Sequence, residues 1–136
     1  MRATGAGHAL AVTVNMARDY RQLAVFHLAD ALAVDTYRHT ATFPDSERYG
    51  LASQIRRAAV SAPANIVEGA ERTTQKDFLR HIDIAAGSAS EARYLLSVSR
   101  RLGFGDEQAA EQLGVRYDSV IRALQALRTA LRRDEH

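Results

Sequence analysis

The 136-residue chain has no cysteine. That excludes disulfides and thiolate metal sites, and makes a reducing cytoplasm the expected compartment. Long apolar runs are missing too. Residues 9–16, "ALAVTVNM", fall well short of the ~20 residues of a membrane span, and apart from Arg2 they lack a cationic leader, so no membrane partner is expected. No segment alternates apolar and polar residues over a useful length, which argues against strands. Only two prolines occur, and Lys76 is the only lysine, so arginine carries the basic charge. The net charge of +2 is too small to indicate a nucleic-acid partner by itself. Residues are 46% hydrophobic and 25% charged, ordinary values for one globular domain with a single core.

Helical periodicity fills most of the chain. Residues 1–18 show no sustained beat and read as a poorly packed arm, within which Met16 offers an alternative start. The bundle domain is expected over 19–133. Helix 1 should run from a cap at Asp19 to about Thr42, with Leu23, Phe26, Ala33 and Tyr37 on one face and Val25, Leu28 and Leu32 forming a second apolar strip. Pro44 breaks it, and Asp45 or Ser46 should cap helix 2 at 46–69. That helix places Leu51, Ile55, Ala58, Ala62 and Ile66 together, with a kink near Pro63 and a stop at Gly69. Helix 3 should start at Thr73 or Thr74 and reach Leu102. Its seam is Phe78, Ile82, Ala85, Ala89, Ala92, Leu96 and Ser99, and small residues around Gly87 suggest a tight crossing. Helix 4, about 106–133, carries the stripe Leu113, Tyr117, Val120, Leu124, Leu127 and Leu131. Its early acids and late arginines suit the helix dipole. Short connections make this an all-α, antiparallel up-and-down four-helix bundle.

Beside the apolar face of helix 2 runs a polar row, Gln54, Arg57, Ser61, Asn65 and Glu68, and helix 3 carries Ser88 and Glu91 beside its own seam. Arg57 and Glu91 are expected to pair, because an unpaired charge at a core edge costs several kcal/mol. Such a row reads as a network fixing helix register, with a polar ligand pocket as the alternative. Tyr49, Val60 and Val67 lie opposite Leu51, where a monomer should be polar. With Val25, Leu28 and Leu32 they form a candidate interface between copies.

Motifs for catalysis are missing. There is no Glu-x-x-His for a di-metal bundle site, no G-x-S-x-G, and His8, His27, His39, His81 and His136 have no ligand spacing. A non-enzymatic protein without cofactor or metal is expected.

The run "FPDSERYGLASQIRRAAVSAPANIVEGAERTTQKDF" at 43–78 and "IAAGSASEA" at 84–92 resemble the bacterial four-helix-bundle family also called 23S rRNA intervening sequence proteins, or S23-like proteins. The likeness spans about residues 19–105, and Ala62 stands where many relatives have a larger aliphatic residue. The resemblance implies a left-handed bundle assembled as a homopentamer around a central channel. The family name describes the location of genes within rRNA genes, not a biochemical activity. A related fold, the accessory variability determinant of diversity-generating retroelements, is a pentamer that engages RNA and a reverse transcriptase. By analogy the expected role is an oligomeric scaffold binding RNA, DNA or a ribonucleoprotein; the alternatives are an adaptor for a protein partner without direct nucleic-acid contact and, last in order, an enzyme using polar groups of the bundle interior. Candidate phosphate contacts are Arg56, Arg72, Lys76, Arg80, Arg100, Arg101, Arg122, Arg128, Arg132 and Arg133. Aromatic residues do not interleave with them as they do in single-strand binders.

Overall fold

The computed structural model describes residues 19–133, so the expected arm at 1–18 lies outside the described residues. Four α-helices make the fold: α1 (Ala24–Thr40), α2 (Leu51–Ala70), α3 (Gln75–Arg101) and α4 (Glu107–Arg133). Single 3-10 turns occupy Tyr20–Gln22 and Asp45–Glu47. Among the described residues there is no strand.

The helix boundaries follow from local chemistry. Asp19 does act as a cap, accepting from the Arg21 backbone N–H at 3.1 Å. It caps only the short turn, because Leu23 adopts extended angles (φ −90°, ψ 119°) and α1 begins after it. Pro44 prevents α1 from continuing, and the chain makes a separate turn before α2 starts at Leu51, five residues later than the capping pattern suggested. Helix α2 runs unbroken through Pro63, which is buried, and ends one residue beyond Gly69. Thr74 caps α3 by accepting from Asp77 N–H at 3.1 Å. At the far end of α3, Gly103 takes φ +79° and the Phe104 N–H donates to Ser99 O at 2.9 Å. This left-handed closure favours glycine. Asp106 then caps α4 through Ala109 N–H at 2.8 Å.

Helix α2 packs most extensively on α3, α3 packs on α4, and α1 closes the ring against α2 and α4. The bonds Ser61–Ser88 and Asn65–His81 step in opposite senses along α2 and α3. The ion pairs Asp83–Arg128 and Arg93–Asp118 do the same along α3 and α4. These two helix pairs are therefore antiparallel. All seven seam residues of α3 are buried, because spacings of four and three keep one face toward the neighbours. Around them Ile55, Ile66, Leu124 and Leu131 are fully enclosed. Each side chain of this size contributes roughly 1.5–3 kcal/mol on full burial.

Three glycine and interface expectations need correction. Gly87 faces open space, so its missing side chain is not what a helix crossing requires; Ala85, Ala89 and Ala92 are the small residues of this stretch that are buried. Gly69 is not a terminator. A Cβ built on it would lie 2.7 Å from His81 Cβ and 3.0 Å from Phe78 Cδ1, so its missing side chain is what lets α2 and α3 meet. Val25 and Leu32, expected on a spare strip of α1, are 6% and 1% exposed and belong to the subunit's own core. The apolar arc of α1 is wide because it serves two neighbours, α2 and α4.

Candidate functional site

The polar row assembles along the α2–α3 seam, around a residue the sequence pattern did not single out. His81 is buried on α3. The Arg72 Nε donates to its Nε2 at 3.2 Å, so that nitrogen accepts and Nδ1 carries the proton. Nδ1 in turn donates to Asn65 Oδ1 at 2.9 Å. The Asn65 amide donates to Ser61 O at 2.9 Å and Ser61 Oγ at 3.1 Å. Ser61 Oγ lies 2.7 Å from Ser88 Oγ. Glu68 borders this chain, 3.5 Å from His81 Nδ1 and 3.7 Å from Arg72 Nη2. A slip of one helix along the other would leave several of these groups unsatisfied at about 1–3 kcal/mol each, so the network fixes register. A helical wheel places His81 within ~40° of Ala85, a signal that was present in the sequence.

Gln54, Arg57 and Glu91 fall outside that chain of bonds. Together with Ala58, Ser61 and Ser88 they line an open groove of about 590 Å³ between α2 and α3. The expected Arg57–Glu91 ion pair is not among the ion pairs of the described residues, nor does either side chain take part in a hydrogen bond there. Both are exposed. In water a pair of this kind gains little over two solvated charges, and the core-edge argument for it does not apply.

The basic candidates separate into two groups. Arg56 donates to Thr40 Oγ1 at 2.8 Å and Tyr37 O at 3.1 Å, with its guanidinium 4.7 Å from the Tyr37 ring centre. There it caps the C-terminal end of α1. Arg72 belongs to the His81 network, Arg128 binds Asp83, and Arg100 lies 3.5 Å from Glu107. Arg101 donates to Ser97 O within its own helix. Lys76, Arg80, Arg122, Arg132 and Arg133 have no hydrogen bond or ion pair among the described residues. The Gln75 side chain donates to Leu131 O at 3.0 Å. That bond brings the start of α3, with Lys76 and Arg80, to the end of α4, with Arg132 and Arg133.

Of the remaining interface candidates, Tyr49 is 88% exposed, Leu28 50% and Val60 41%, while Val67 is half-buried. Val34, Ile84, Tyr94, Leu102 and Val115 are large apolar side chains that also stand exposed.

Further buried polar groups lie elsewhere, Tyr117 and His39 among them. Tyr117 bonds Thr36 Oγ1 at 2.7 Å, and Thr36 donates to Leu32 O at 2.7 Å, so the phenol is the donor. Burial pushes its pKa up to about 12. His39 packs edge-on against Phe43 and beneath Gly105, where a Cβ would fall 2.8 Å from its Cε1. Its Nε2 is buried without a hydrogen-bond partner. Burial holds the imidazole below its usual pKa, opposed by the nearby Asp106 carboxylate. Among the described residues no three His, Cys, Asp or Glu side chains gather as metal ligands, and no helix is long and apolar enough to cross a membrane.

The fold and seam define a four-helix bundle whose polar groups mostly satisfy one another while one end presents arginine and lysine. The chain belongs to the 23S rRNA-intervening sequence protein family, whose family model matches residues 21–126. A solved structure agrees at the level of fold: a Bacteroides thetaiotaomicron protein of unknown function from the S23 ribosomal protein family. It is 20% identical with a TM-score of 0.66, and the match covers 86% of this chain and 98% of that one. None of the curated proteins compared with the chain matches it.

Proposed function

We propose that this protein is a non-enzymatic, homo-oligomeric scaffold that binds nucleic acid, with five copies as the number the family resemblance implies. The observation that carries the reading is the basic end of the bundle. Lys76, Arg80, Arg132 and Arg133 belong to the two helix ends that meet there, and make no hydrogen bond or ion pair among the described residues. Cations left unpaired while neighbours such as Arg128 are committed to carboxylates are available to phosphates. Self-association would cover exposed apolar side chains such as Tyr49, Tyr94, Leu102 and Val115.

The test is binding of labelled duplex RNA to the full chain across a salt series. Log K against log salt should fall with a slope of about 0.9 per phosphate neutralised. Replacing Lys76, Arg80, Arg132 and Arg133 together by Gln should shallow the slope by up to about four contacts' worth. Salt-independent binding, or none near physiological salt, contradicts the proposal.

A further inference from the structure

The groove between α2 and α3 brings charges of both signs, Arg57 and Glu91, together without intrachain partners, beside the Ser61–Ser88 pair. Behind its floor, the hydrogen bonds run in one direction: Arg72 donates to His81, His81 to Asn65, and Asn65 to Ser61. Ser61 and Ser88 share a single bond at 2.7 Å. Two hydroxyls hold two protons, and their mutual bond uses one. Neither hydroxyl makes a further bond to the chain as donor. One O–H therefore remains at the groove floor whichever serine donates to the other. Because Ser61 already accepts from Asn65, the arrangement that continues the chain has Ser61 donating and Ser88 presenting the spare proton. Aligned donors headed by a guanidinium polarise one another and strengthen that last O–H.

Arg57 and Gln54 line the same groove and bring further N–H donors, while Glu91 lines it from α3. Three sets of donors beside one lone carboxylate describe a receptor with two poles. The donor pole matches an oxyanion, and a carboxylate accepts from guanidinium and hydroxyl together. Glu91 matches an ammonium and repels a second negative charge, so a polyanionic phosphate chain is a poor occupant. At about 590 Å³ the groove falls in the size range of small-molecule sites.

We propose that the α2–α3 groove binds a small zwitterion, a carboxylate and an ammonium on one compact molecule of the free amino acid kind. Arg57, Gln54 and Ser88 hold the carboxylate and Glu91 holds the ammonium. This inference does not rest on nucleic-acid binding, which draws on the basic end of the bundle.

The experiment titrates the full-length protein with each common free amino acid, and with acetate, methylammonium and inorganic phosphate, by calorimetry and amide NMR. At least one amino acid should bind saturably with shifts centred on Ser61 and Ser88, and both single-charge probes should bind at least about tenfold more weakly. Arg57→Gln and Glu91→Gln should each weaken binding at least about tenfold, and Ser88→Ala about threefold or more, since hydrogen bonds to charged groups are the strong ones. Arg57 and Glu91 are exposed, so those two variants should fold as the parent does, while Ser88→Ala also removes the Ser61 bond; melting curves measure that cost separately from binding. Absence of saturation by about 10 mM overturns the proposal. Shifts mapping elsewhere, unchanged affinity in Glu91→Gln, or tighter seating of phosphate than of any amino acid also overturn it.

Discussion

Helices α2 and α3 are joined across their contact by hydrogen bonds among side chains such as His81, Asn65, Ser61 and Ser88. The contact of α3 with α4 is instead rimmed by ion pairs. On the first side Gly69 also lets the backbones approach. On the second side Asp83–Arg128, Arg93–Asp118 and Arg100–Glu107 stand at the surface around Leu96, Leu124 and Leu131. The difference separates specification from support. Exposed ion pairs contribute roughly 0–1 kcal/mol each and tolerate sliding. A partly buried network beneath a glycine crossing admits one register and penalises the rest.

The largest effect expected from disturbing this contrast is at Gly69. Gly69→Val forces a branched side chain into space already held by His81 and Phe78, and should destabilise by about 3 kcal/mol in urea unfolding. A parent-like midpoint would mean the helices do not approach as closely as described. Next comes His81→Ala, which removes a buried ring and strands Asn65 Oδ1. A loss of about 2–3 kcal/mol is expected. Arg93→Ala, cutting an ion pair on the other side of α3, should lose no more than about 1 kcal/mol. Equal losses in the two variants would erase the distinction.

Smaller again is the acid response of His39. Its folded pKa lies below the usual 6.5, so as pH falls through about 6.5 the unfolded chain takes up a proton that the folded chain does not. The stability contributed by the neutral, buried ring is present above that pH and is lost on acidification. The difference in unfolding free energy between the parent and His39→Leu should shift toward the variant between about pH 7 and pH 5. A difference constant with pH would show that His39 titrates normally in the fold.

The regular parts of this architecture were open to reading in the sequence, and the reason is period. The α3 seam from Phe78 to Ser99 keeps its beat for six turns, and all seven positions are buried. Thr74, one of the two residues expected to cap α3, proved to be its cap. What periodicity carries poorly is anything set by a partner helix. Gly69 and Gly87 look alike in sequence, yet one sits under a helix crossing and the other in the open. Val25 and Leu32 looked spare because a wheel drawn for one helix cannot show that α1 has two neighbours. In the polar row Ser61, Asn65, Glu68 and Ser88 come together, but the residue joining them, His81, was set aside for lacking metal-ligand spacing. Arg57 and Glu91, expected to pair at a core edge, are both exposed and line a groove without forming an ion pair.

Native mass spectrometry of the full chain, purified without nuclease, is the most direct test of the idea that copies of this bundle assemble and carry nucleic acid. The expected spectrum shows a homo-oligomer, with five the favoured count, and additional mass that disappears on nuclease treatment. A single 15.0 kDa species free of nucleic acid at working concentration would contradict the account.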